Sequence, residues 1–138
     1  MWKSIVFTFI LAFSFSGFAN TIEVTEELKP QRLSKYIFFG KVDKDFGLYL
    51  GATVSCAINF YSKQKTEILY RGSRFRISQF IPSRSYEINP DVYVNIMQAT
   101  IYGENNLQYI QCQKIGDRSD YPSLEEIERA SEGKIRFY

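Results

Sequence analysis

Lys3 precedes an apolar run from Ile5 to Phe13, and residues 14–19 are small and weakly polar, with Gly17 and Ala19 three and one positions before Asn20. Charge, apolar core and small-residue boundary in that order predict a cleavable export signal over 1–19. A membrane span needs about 20 apolar residues, and serines interrupt this run at roughly half that length. No cysteine follows it, so a lipid-modified N-terminus is not expected. Residues 20–34 are polar and carry Pro30, which predicts a loosely ordered lead. Within it, Ile22 and Val24 alternate with Thr21, Glu23 and Thr25 and offer an edge strand.

From Tyr36 onward the dominant period is two. Residues 36–39 read as a short strand running into Gly40, and 42–47 as a turn. Residues 48–61 form a long extended stretch bent at Gly51. A polar hairpin loop at 62–65 should return the chain along 66–71, and Gly72-Ser73 turns it into 74–78. There Phe75 and Ile77 point inward while Arg74 and Arg76 face water. The stretch 82–90, bounded by prolines, reads as the longest irregular connection. Apolar positions then fall on one parity over 92–96 and on the other over 97–101, a phase change that predicts a bulge. A turn at 103–106 leads to the strand carrying Cys112.

The period changes near the end. Ser123-Leu124-Glu125-Glu126 is a capping box, Leu124, Ile127 and Ala130 recur at helical spacing, and Gly133 is a stop. These signals predict one helix of about eight residues with an acidic outer face of Glu125, Glu126, Glu128 and Glu132. A last strand should follow with Ile135 and Phe137 on one side. The fold expected over 35–138 is a single domain, all-β and mainly antiparallel. It is a small disulfide-linked β-sandwich or partly open barrel of about 6–7 strands with one short C-terminal helix.

Composition sharpens this picture. The chain has 138 residues, and removal of 19 leaves 119, enough for one domain. Cys56 shares a strand face with Val54, Ile58 and Phe60, and Cys112 with Ile110. An even pair of core-facing cysteines in an oxidising compartment predicts one disulfide. Neither cysteine sits in a C-x-x-C motif, and the chain has no histidine, which removes the commonest general base and zinc ligand. No cofactor and no metal site are expected. Without Lys3 the charge is 16 Lys+Arg against 15 Asp+Glu, so a charged partner must be met by a local patch, and nucleic acid is not expected.

Chemistry-bearing patterns are few. Ser62 to Lys65 and Ser131 to Lys134 match S-x-x-K, but no second acyltransferase motif accompanies either. Asp43 and Asp45 have calcium-loop spacing, yet Leu48 and Val54 stand where the loop needs glycine and glutamate, so a turn is the better reading. Asp43, Asp45, Asp91 and Asp117 are the available acid-base groups. No spacing forces two of them together, so no enzymatic activity, including a carboxylate-based hydrolysis, is expected.

The stretch from Lys63 to Arg84 carries Lys63, Lys65, Arg71, Arg74, Arg76 and Arg84 against Glu67 alone, with Tyr61, Tyr70 and Phe80 interleaved. This basic and aromatic hairpin suits an anionic glycan, a lipid head group or an acidic protein surface; the same charges would also protect a solvated sheet edge. The reading is a small periplasmic or secreted binding or accessory protein of the cell envelope, with no transmembrane segment once processed. The alternatives are a secreted enzyme inhibitor acting through 82–90, and a structural subunit that self-associates through strand edges.

Overall fold

The computed structural model describes residues 19–31, 34–40, 42–43, 47–48, 54–103 and 106–138. The expected signal up to residue 18, the turn centre at 44–46, the bend at Gly51 and the turn tip at 104–105 lie outside these residues.

The described residues form ten strands: β1 (Thr21–Val24), β2 (Tyr36–Phe39), β3 (Val42–Asp43), β4 (Gly47–Leu48), β5 (Val54–Phe60), β6 (Arg74–Ile77), β7 (Ile81–Asn89), β8 (Val92–Tyr102), β9 (Leu107–Gly116) and β10 (Ile135–Phe137). Seven follow the antiparallel order β10-β1-β6-β8-β9-β5-β2 in one sheet that curls into a half-barrel. β7 joins the same edge of β8 as β6, with Ile77 opposite Ile101 and Ile81 opposite Gln98. The fold is the open-barrel form of the expected all-β domain. β3 and β4 pair separately, Val42 with Leu48 and Asp43 with Gly47.

Inside the curl, Ile22, Val24, Ile37, Ile58, Phe60 and Ile110 are buried, and Cys56 is bonded to Cys112. The two cysteines face each other directly across β5 and β9, with Cα atoms 4.1 Å apart. The helix α1 (Leu124–Ala130) closes the concave side through fully buried Ile127. Its capping box forms as predicted. The Glu126 amide donates to Ser123 Oγ at 3.2 Å, and the Ser123 amide to Glu126 Oε1 at 3.0 Å.

Two polar clusters fasten α1 and the loop before it. Lys114 Nζ lies 3.0 Å from Glu126 Oε2 and 3.2 Å from Asp120 Oδ1. The bond to Glu126 raises the Lys114 ammonium above the usual lysine value, with partial burial opposing and Asp120 reinforcing. Partial burial alone would raise Glu126, but its bonds to the Ser123 amide and Lys114 outweigh this and hold its carboxyl below the usual range. Asn95, fully buried, donates to Asp117 O at 2.9 Å and accepts from the Ser119 amide at 2.9 Å and from Ser85 Oγ at 2.5 Å.

Four local expectations are corrected. Thr21–Val24 is an inner strand paired on both sides, not an edge, because both of its apolar residues fill the core. Among the described residues no hairpin forms after β5. Its edges are taken by β2 and β9, Lys63–Lys65 make a 3-10 turn, and Leu69 bridges to Leu28. The supposed connection 82–90 is strand β7, held by its ladder to β8 although both of its faces are largely exposed. β8 runs in unbroken register with β9. Its residues Val94 to Met97 are buried on both faces, which accounts for the parity change, and the register shifts lie in the β7 pairing and near the end of β5.

Candidate functional site: an arginine and tyrosine face

The outer surface of β6, β1 and β10 is set by registry. Glu23 stands opposite Arg74 on one side and Arg136 on the other, and Thr21 stands opposite Arg76, which itself faces Tyr102 on β8. Since Ile22, Val24, Phe75, Ile77 and Ile135 turn into the core, the period of two sends Arg74, Arg76, Arg136, Tyr102 and Tyr138 outward together. Strands spaced about 4.8 Å apart place the backbones of Arg74 and Arg136 about 10 Å apart, on either side of Glu23.

Arg74 Nη2 approaches Glu23 Oε2 to 2.7 Å. That oxygen accepts no hydrogen bond of good geometry, so the contact is an ion pair. The Arg74 guanidinium also lies 5.8 Å from the centroid of the Tyr138 ring, within cation–π range. Tyr138 is 56% exposed and Tyr102 51% exposed, so aromatic surface flanks the cations. One carboxylate against three guanidinium groups leaves the face cationic, and a guanidinium can grip a carboxylate, sulfate or phosphate through two parallel N–H bonds.

The residues singled out in the sequence divide. Arg74 and Arg76 share this face, whereas Arg84 is stacked on Tyr86, 5.1 Å from the ring centroid, and sits opposite Ile96. From Tyr102 to Ile96 along β8 is about 20 Å, so Arg84 belongs to a separate part of the same outer surface. Lys63 is exposed on the 3-10 turn, and the Lys65 side chain is outside the described residues. Arg71 is exposed in the turn before β6, and Tyr61 and Tyr70 are exposed where the chain leaves β5 and bridges to β1's continuation at Leu28. The basic hairpin is thus replaced by a face made from β6, β1 and β10, with Tyr102 added from β8.

Arg136, Tyr102 and Tyr138 escaped sequence reasoning. The alternation Ile135-Arg136-Phe137 already sends Arg136 outward, but only β1 brings it beside β6. Among the described residues, no group of three or more Asp, Glu or Cys side chains is placed to hold a metal ion. Compared with protein-family models, with curated proteins and with solved structures, the chain finds no match.

Proposed function

We propose that this chain is a small exported binding or accessory protein of the cell envelope that engages an anionic partner through Arg74, Arg76 and Arg136. The observation that carries the reading is the two-sided registry of β1, which gathers three outward arginines and two exposed tyrosines on one surface. Export is supported by the ordered charge, apolar and small-residue pattern at 1–19 and by a buried disulfide, which persists in oxidising compartments. Among the described residues no helix is long and apolar enough to cross a membrane.

The test is a triple substitution, Arg74→Ser, Arg76→Ser and Arg136→Ser, with binding measured to a sulfated polysaccharide, to phosphatidylglycerol vesicles and to polyglutamate. The wild-type chain should bind at least one probe with affinity that falls as salt rises. The triple variant should lose about tenfold or more, and Arg84→Ser should bind like wild type. Thermal unfolding of each variant confirms that it folds. Binding of no probe, or equal binding by the triple variant, would reject this face.

A further inference from the structure

The groove between β10 and α1 combines an unpaired strand edge with an acidic wall and an apolar floor. Tyr138 and Thr21 exchange both backbone hydrogen bonds, at 2.9 and 3.1 Å. In an antiparallel pair such exchanges alternate, so Arg136 and Glu23 bond likewise, and Ile135 and Phe137 direct their amides and carbonyls away from β1. The Ile135 amide is taken by Ser131 Oγ at 3.2 Å. The Phe137 amide and carbonyl and the Ile135 carbonyl therefore lie on the outer edge of β10, the terminal strand in the sheet order. Among the described residues no strand pairs with that edge.

Beside it, between β10 and α1, run two cavities of about 660 and 410 Å³. Both are bordered by Glu125 and Glu128, which makes them compartments of one groove. The larger has a floor of Phe80, Met97, Leu124 and Phe137, with the rings of Phe80 and Phe137 edge to face at 5.9 Å. Its charged side chains are the two glutamates alone; Arg129 and Arg136 border only the smaller compartment. Charge thus varies along the groove, and its more negative compartment is the one with the larger apolar floor.

We infer that this groove docks an extended, basic segment of a partner polypeptide, added as a strand to the outer edge of β10. Strand addition supplies main-chain hydrogen bonds from the edge, while alternate side chains of the incoming segment fill pockets and give selectivity. Here one set of side chains would lie on the Phe80, Met97 and Leu124 floor, and lysine or arginine would meet Glu125 and Glu128. A small cation would satisfy the carboxylates but leave the Phe137 amide and carbonyl without partners, so a polypeptide fits the whole groove better. This groove meets the arginine face at Arg136 and Tyr138, while Arg74 and Arg76 lie outside it.

The test uses the exported protein, its N-terminus read by mass spectrometry, and a fluorescein-labelled peptide Lys-Val-Lys-Val-Ser-Val followed by fluorescence anisotropy. It should bind saturably, and the counterpart Glu-Val-Glu-Val-Ser-Val should bind at least tenfold more weakly. Glu125→Lys with Glu128→Lys should weaken the basic peptide by at least tenfold. The milder Glu125→Gln with Glu128→Gln, which keeps the helix intact, should weaken it by a smaller factor in the same direction. N-methylation of alternate probe amides should abolish binding, and Arg74→Ser with Arg76→Ser, which lie outside the groove, should bind the basic peptide like wild type. Absent binding, equal affinity for the two peptides, indifference to N-methylation, or charge variants that match wild type would each overturn the inference. So would concentration-dependent self-association that both charge variants abolish, which would assign the groove to a second copy of the chain.

Discussion

Reduction of the Cys56–Cys112 disulfide should remove a large share of the stability of this domain while leaving its native architecture in place. The bridge joins residues 56 apart in sequence, and closing a loop of that length in the unfolded chain is worth about 4 kcal/mol in the chain-entropy treatment. A domain of this size has about 6–18 kcal/mol in total, so the loss is severe without being certain to unfold it. The folded state needs the covalent link least, because β5 and β9 already hold Cys56 opposite Cys112 within a ladder running from Val54–Lys114 to Phe60–Leu107. Reduction keeps both buried sulfurs in place and so isolates the link from the packing, which substitution to alanine would not. With a urea m-value of about 1.5 kcal/mol per molar, the midpoint should fall by about 3 M, with the far-UV circular dichroism of the reduced folded state unchanged. A midpoint shift below about 0.7 M, or loss of the native spectrum on reduction in the absence of urea, would refute the reasoning.

Two further outcomes follow from local geometry. Gly40 has φ +89°, and a Cβ there would fall 2.8 Å from Val54 O and 2.9 Å from Ser55 Cα, whereas Gly72, at φ +91°, has nothing within 4 Å of the same position. Urea unfolding should therefore show Gly40→Ala losing about 3 kcal/mol and Gly72→Ala about 1, and equal losses would mean that the close approach at Gly40 does not matter. Lys114→Met should lower stability by about 1 kcal/mol at neutral pH. The raised Lys114 value makes its contribution complete below the ordinary lysine pKa and lost as pH rises through the folded value. The lowered Glu126 value makes its contribution complete above the ordinary glutamate pKa and lost as pH falls through the folded value. Urea unfolding of both proteins at pH 2, 7 and 11 should show the difference narrowing at both extremes, and a constant gap would mean that Lys114 acts by packing alone.

Features encoded within a few neighbouring residues were readable directly. The period of two around Cys56 and Cys112 identifies two strands with their sulfurs on the core side, because successive side chains of a strand point to opposite faces. The larger apolar ones share the sulfurs' face, although in β5 the small and polar residues of the other face are buried as well. Ser123 and Glu126 mark the helix start, because the amides they satisfy belong to the first turn itself, and Gly133 at φ +77° follows its end. β7 was missed for the converse reason. Its residues are mostly exposed, so no apolar pattern betrays a strand held by main-chain bonds to β8. Residues 66–71 looked like a return strand because local pattern cannot tell which neighbour claims the edges of β5.

For the arginine face, local pattern alone determined that Arg74, Arg76 and Arg136 each point away from the core, since each alternates with residues that must be buried. Which of them become neighbours was decided by tertiary structure: β1, expected to be part of a loose lead, inserts between β6 and β10 because Ile22 and Val24 are needed in the core. That single placement brings Arg136 beside β6 and leaves the far edge of β10 open beside α1, while Arg84 is separated from Arg74 because β6 and β7 pair with successive stretches of one edge of β8. Strand order depends on burial summed over distant segments, and no stretch of neighbouring residues carries that sum.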